Sequence, residues 1–283
     1  MIYDGFTFFN ELELLELRLH ELAEVVDKFV LVEAARTHTN QPKPLFYQEN
    51  RSRFSAFHDK IIHVVVEDLP VAEDPWIPER FQRNAIARGL THCRPDDFVL
   101  VSDLDEIPRA SAVVEMTRKI PYHDNLFSTA GHAALNLAPF KKIFRRLLRK
   151  HHPFVWKFEQ TLYRHFVNCR SSDINYGTRM VRFRDFSTAN ELRRSGYKTV
   201  ENGGWHFTSM GGVERIRQKI AAFAHQEFNK PEFTDPQHLA RAIHEGSPLF
   251  HQSERLEFVP LDNSFPRYLL EHPEKFSDWI KLV

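Results

Sequence analysis

Short runs of β-branched and aromatic residues alternate with helix-length amphipathic stretches through the first third of the chain, and this alternation constrains the fold most strongly. Ile2-Tyr3 with Phe6 to Phe9, Phe29 to Val32, Ile61 to Val66 and Phe98 to Val101 are the strand-like runs. Between the first two lies the leucine-rich stretch Glu11 to Val26, with Asn10 placed to cap it and Glu13 to complete a capping box. Before the fourth lies Pro78 to Leu90, with proline suited to a first helical turn and Gly89 to a stop. Strand, helix, strand in this repeated order predicts an α/β fold, a mostly parallel central sheet flanked by helices. A chain of 283 residues is long enough to bury the core of one such domain.

The fourth strand ends in Asp103-Leu104-Asp105-Glu106. Side chains alternate along an extended segment, so Asp103 and Asp105 point one way and Leu104 the other. An isolated Asp-x-Asp is most often an acidic turn that caps the next helix. At the end of a buried strand, where open α/β sheets bind ligands, two hard oxygen ligands suit a divalent cation carrying phosphates. On the helix before this strand Arg80 and Asn84 share a face beside Arg83, as a solvated surface or as a contact to a phosphate or base.

A second concentrated signal is Asn202-Gly203-Gly204-Trp205-His206-Phe207-Thr208, followed by Gly211-Gly212. Paired glycines let the backbone turn and approach a ligand, and His206 between them is either a packed residue or a ligand. The helix Val213 to His225 after them offers free N–H groups to an anion.

Elsewhere the chain is less specific. Val181 to Phe186 alternates like a half-exposed strand, Leu126 to Ser128 is another short strand, and Trp156 to Gly177 shows weak periodicity. Lys141 to Lys150 is a basic amphipathic helix near 139–152, suited to packing by its apolar side, to an acidic acceptor or to peripheral contact with an anionic membrane. Asp235-Pro236 opens a further helix that Gly246 ends, and the tail to residue 283 reads as helical turns. Lys+Arg and Asp+Glu number 38 each, which argues against a general nucleic-acid binder. Cys93 and Cys169 have no metal-type spacing, no signal-like opening or bilayer-length apolar run is evident, and a cytoplasmic location is expected.

Glu13 to Leu22, Val25-Val26-Asp27, Arg94 to Asp97, Ser102 to Pro108 and Gly204-Trp205-His206 together resemble glycosyltransferase family 17, in the same order along the chain. That resemblance implies a GT-A-like fold in a single domain over 1–283 and a metal-dependent inverting transfer of a sugar, GlcNAc from UDP-GlcNAc, to a glycan or lipid-linked saccharide. It implies that Asp103, Asp105 and His206 hold the metal, Mn²⁺ in preference to Mg²⁺. Arg80, Asn84, Asp103, Gly204 and Trp205 are then expected at the donor. Inversion also needs a base on the acceptor hydroxyl; Glu227 is the first choice, with Asp173 and Asp185 behind it, and Asp105 is the other catalytic candidate. The basic run looks like an insertion, so the acceptor need not be an N-glycan. The rival expectations are a carbohydrate or nucleotide-sugar binding protein without turnover, and a nucleotide-sugar hydrolase.

Overall fold

The computed structural model describes residues 1–119, 155–196, 198–250 and 253–282; Leu126 to Ser128 and the basic run Lys141 to Lys150 lie outside them. Among the described residues ten strands form one sheet. They are β1 (Ile2–Phe8), β2 (Lys28–Ala34), β3 (Ile61–Val66), β4 (Phe98–Asp103), β5 (Glu106–Pro108), β6 (Trp156–Arg164), β7 (Cys169–Asn175), β8 (Arg179–Arg182), β9 (Lys198–Thr208) and β10 (Leu256–Phe258). The helices that matter below are α1 (Leu12–Leu22), α2 (Trp76–Asn84), α3 (Ala110–Lys119), α4 (Ala189–Arg193), α5 (Gly212–Ala222) and α6 (Pro236–Glu245).

The main path of the sheet runs β10-β7-β6-β8-β4-β1-β2-β3, with β9 joined to both β5 and β6. From β4 to β3 every pairing is parallel, as the alternating N-terminal pattern predicts. Beyond β4 the pairings are antiparallel, except that β6 and β9 run parallel. The change follows from the connections. β6 and β7 are joined through residues 165–168, a link too short to cross the sheet, so they pair antiparallel, and β8 meets the start of β6 in the same antiparallel sense.

Both faces of the parallel half are covered, which explains its uninterrupted apolar runs. Phe29, Leu31, Phe98 and Leu100 pack on one side with Leu14, Leu15 and Leu17 of α1, Val113 of α3 and Trp279 of the tail. Their neighbours Val30, Val32, Val99 and Val101 pack on the other with Ile86, Leu90 and Leu192. Ile216 and Ile220 of α5 form a separate small cluster with Leu239 and Ala242 of α6 and Leu249.

Local signals fare unevenly. Asp235 caps α6 by accepting from the His238 N–H at 2.7 Å, and Gly246 ends it in the left-handed region. Asn10 does not cap α1; its amide donates to Gln218, and Glu13 pairs with Arg215 at 2.6 Å, because a guanidinium within reach competes for the carboxylate that a capping box needs. The tail is not helical throughout: β10 interrupts it and pairs with β7.

Candidate active site

Asp103 is the last residue of β4, and Asp105 sits in the tight turn between β4 and β5. A buried ion pair shapes that turn. Arg18 on α1 and Asp4 on β1 are both fully buried and 2.6 Å apart. The same guanidinium donates to the main-chain carbonyls of Asp103, Leu104 and Glu106 at 3.2, 3.1 and 2.9 Å and to Ser102 Oγ at 2.6 Å. Only arginine has enough donors in a fixed fork to satisfy so many acceptors at once. Glu106, also buried, closes the turn by accepting the Asp103 N–H at 2.8 Å.

The short strand β5 then carries the chain against β9, pairing Glu106 with His206, Ile107 with Trp205 and Pro108 with Gly204. This register brings His206 Nε2 to 3.5 Å from Asp105 Oδ1. Lys219 of α5 approaches the other oxygen of Asp105 at 2.8 Å and Glu11 at 3.4 Å. Asp103 is held differently. Its oxygens accept from Arg83 at 3.2 Å, Arg193 at 3.0 Å and Thr7 Oγ1 at 3.2 Å. Arg193, at the end of α4, also clasps Glu106.

These contacts set the charge states. Burial alone raises the Asp105 carboxyl, but Lys219 and then His206 outweigh it and hold the group well below the usual carboxylate range. For Asp103 burial is likewise overcome, by Arg193 and Arg83. Lys219 is raised in turn: Asp105 and Glu11 more than offset its desolvation. Glu79 is the exception, raised by burial and by the nearby charge of Asp103 despite Arg83 beside it.

Arg83, Asp103, Asp105, Arg193, His206 and Lys219 all line one cavity of about 570 Å³ at the carboxyl ends of the parallel strands. Its walls differ in character. Thr7, Thr37, His38, Gln82 and Arg83 give a polar side, whereas Trp76, Phe223, His225, Phe228 and Phe250 give an aromatic one. His225 meets Trp76 edge to face at 4.6 Å, and its Nδ1 lies 2.6 Å from Glu227.

The expected site residues separate into those the fold gathers and those it does not. Asp103, Asp105 and His206 line the cavity, with Arg83 rather than Arg80 on it. Arg80 is one residue out of phase with the face α2 turns inward. Asn84 does not line the cavity; it accepts the Asn190 N–H at 2.9 Å and fixes the start of α4. Gly204 and Trp205 lie within β9, away from the cavity. Trp205 is buried, donates to the Ser264 carbonyl at 3.0 Å and carries Arg109 over its ring. Gly211-Gly212 likewise stay off the wall, which α5 forms with its side through Ile216, Lys219 and Ile220, not with its N-terminal amides. Glu227 is half-exposed and reaches the cavity only through His225. Asp173 and Asp185 do not line it.

Arg18, Arg193 and Lys219 are residues of the turn and cavity that no motif in the sequence marks. Arg18 falls inside a leucine-rich helix, where a charge at that position is the one sequence signal available. Lys219 interrupts the apolar face Ile216, Ile220, Phe223 in the same way.

The donor set suits a divalent cation at Asp105 and His206 but not at Asp103. Asp105 Oδ1 and His206 Nε2 lie 3.5 Å apart and together offer one oxygen and one imidazole nitrogen to a cation. Around the turn Glu11, Glu79, Asp103, Asp105 and Glu106 face Arg83, Arg193 and Lys219, and Arg36, Lys43 and Arg164 line the same cavity, so its five acids are matched by lysine and arginine. Among the described residues no third His, Cys, Asp or Glu joins the pair. Such a two-ligand site draws its remaining ligands from substrate phosphates and water. Asp103 has its oxygens engaged by two guanidiniums and cannot serve as a ligand without giving them up.

Residues 1–126 match glycosyltransferase family 17. The β-1,4-mannosyl-glycoprotein 4-β-N-acetylglucosaminyltransferases of Homo sapiens and Rattus norvegicus are each 33% identical over 37% of this chain. The match spans 21% of the length of those proteins. Among solved structures, 2-C-methyl-D-erythritol 4-phosphate cytidylyltransferase of Francisella tularensis is similar with a TM-score of 0.33 and 10% identity, over 71% of this chain and 89% of that one.

Proposed function

We propose that this chain is a glycosyltransferase that moves a sugar, GlcNAc from UDP-GlcNAc, with inversion onto a hydroxyl of a saccharide acceptor. The observation that carries this reading is the Asp103–Glu106 turn, which lies in the segment that matches a glycosyltransferase family, facing His206 across a large cavity. The polar wall beside β1 and α2 takes the nucleotide, and the aromatic wall takes the acceptor sugar, whose apolar ring faces suit Trp76 and Phe228.

In the reaction the acceptor oxygen attacks the anomeric carbon, the carbon–oxygen bond to the diphosphate breaks, and its electron pair leaves with UDP. A divalent cation, Mn²⁺ by preference, would be held by Asp105 and His206 and would supply Lewis-acid neutralisation of the leaving diphosphate. Arg83 and Arg193 hold Asp103 ionised and keep the turn rigid. The acceptor proton goes to His225: Glu227 accepts from its Nδ1, which leaves Nε2 free to take a proton. Glu227 thus enters the reading as the residue that positions the base.

Purified protein supplied with Mn²⁺, UDP-GlcNAc and a saccharide panel is expected to release UDP only as sugar is transferred, and Asp105→Ala to abolish this. Turnover undiminished in Asp105→Ala overturns the site. Sugar released at the full rate without acceptor makes the protein a hydrolase, and metal-dependent UDP binding without turnover makes it a binding protein. Glu227→Gln is expected to lower kcat about tenfold with the donor KM unchanged, as for a group acting through a general base. A cytoplasmic protein with Lys141 to Lys150 on an anionic membrane belongs to the same proposal, and salt-sensitive liposome binding tests it.

A further inference from the structure

Lys219 is the one charged residue on a helix face that is otherwise apolar. Ile216, Lys219 and Ile220 stand at spacings of three and four on α5 and all line the cavity. Burying an ammonium beside two isoleucines costs free energy that an apolar residue there would avoid. Its contacts to Asp105 and Glu11 engage two of the three N–H donors that a lysine carries. The side chain keeps 29% of its surface exposed, on the cavity side of the aspartate turn.

Asp105 therefore has an ammonium against one oxygen and His206 beside the other. A divalent cation placed between Asp105 and His206 would stand next to that ammonium, and two like charges at such range repel unless an anion lies between them. A diphosphate is such an anion. We propose that Lys219 is a diphosphate-binding residue of this site, held in place by Asp105 and Glu11 while the site is empty and passing its ammonium to a phosphate oxygen of the donor on binding. The proposal rests on the donor reading above and adds to it a cation that belongs to the chain.

Two consequences distinguish it from a purely structural lysine. Part of the affinity for a nucleoside diphosphate survives removal of divalent metal, because the ammonium remains. The contribution falls on the phosphates and not on the nucleoside, and it grows as charge develops on the leaving oxygen.

The test is a titration of the full chain with UDP and with uridine, each in EDTA and in Mn²⁺, followed by NMR. A charge-assisted contact to phosphate is worth about tenfold or more in affinity. Lys219→Gln is expected to weaken UDP in EDTA by about that factor, with uridine unchanged, and Lys219→Arg to keep most of the UDP affinity. Equal UDP affinity in wild type and Lys219→Gln overturns the proposal, as does a parallel loss for uridine, which marks a lysine that only supports the fold. Absence of UDP binding by the wild type in either condition overturns the donor reading and this proposal together, and so differs from a failure at Lys219 alone.

Discussion

Arg18 is the residue on which the geometry of the candidate site most depends, although it does not line the cavity. Its charge is buried and balanced by Asp4, and its remaining donors shape the aspartate turn. Arg18→Met leaves Asp4 charged and unpaired in the core, and chemical denaturation should show a loss of about 3–5 kcal/mol. The paired change to Asp4→Asn with Arg18→Met is expected to recover part of it, since no lone charge remains. Glu16 gives a pH signature. Burial raises this carboxyl, but Lys275, Tyr268 and Arg53 outweigh it and bring it from the ordinary 4.5 to about 2. A depressed carboxylate stabilises the fold fully above its unfolded value and loses that contribution as the pH falls through its folded one. The stability difference between wild type and Glu16→Gln should therefore be constant above about pH 5 and vanish towards pH 2, measured by urea unfolding at each pH. At this scale the anions of the site were legible and the cations were not. Asp103 and Asp105 announce themselves by alternation at a strand's end. Arg193 is an ordinary surface-type residue in sequence and Lys219 shows only as a charge within an apolar helix face, and only the fold brings them to those aspartates.

The element that assembles the site is the three-residue pairing of β5 with β9. Gly204 makes it close enough: its φ is +148°, and a Cβ there would run into the Ile107 carbonyl and lie 2.8 Å from Pro108 Cα. Gly204→Ala should push the two strands apart, cost about 1–3 kcal/mol and draw His206 away from Asp105. Mn²⁺ affinity in the presence of UDP, read by electron paramagnetic resonance, should fall with it. Gly212 also has a positive φ, +80°, but no atom within 4 Å of a built Cβ. Gly212→Ala should therefore leave the metal affinity as it was. The glycine pair at 203–204 thus serves strand against strand, which its composition alone could not distinguish from backbone against ligand. Strands β1 to β4 could be read because burial on both faces gives continuous apolar runs. β6 and β7 could not: polar groups such as Gln160, Asn175 and Ser171 are satisfied inside the protein by partners distant in sequence, and this blurs the alternation.

Across the whole molecule the core is uneven. The parallel half is covered on both faces, whereas α5 and α6 share a small cluster of their own. Sub-structures with few apolar contacts open locally at a lower free energy than the whole. Leu239→Ala, which removes about 2–5 kcal/mol from a fully buried position, should speed hydrogen exchange in α5 and α6 while leaving β1 to β4 protected. Uniform acceleration through the sheet would show a single cooperative unit instead. Because α5 carries Lys219, the same variant should weaken UDP binding without touching the aspartates. The α/β class was legible from the N-terminal alternation, but the antiparallel half depends on where connections are short, and that is set by strands the sequence pattern did not reveal.

The ring of ion pairs around the aspartate turn has one further consequence. Its cations are already satisfied: Arg83, Arg193 and Lys219 each rest on a carboxylate before any ligand arrives. On the proposed donor reading, entry of a diphosphate would be an exchange of one anion for another and not the filling of a positive hole. Mere negative charge gains little in such a place, because the carboxylates it would displace are tethered and return at once. What can win is an anion with several oxygens at fixed spacing, able to engage two or three of these cations in the same instant. Selectivity of this kind would be a matter of shape, favouring a diphosphate over chloride in a pocket lined with arginine and lysine.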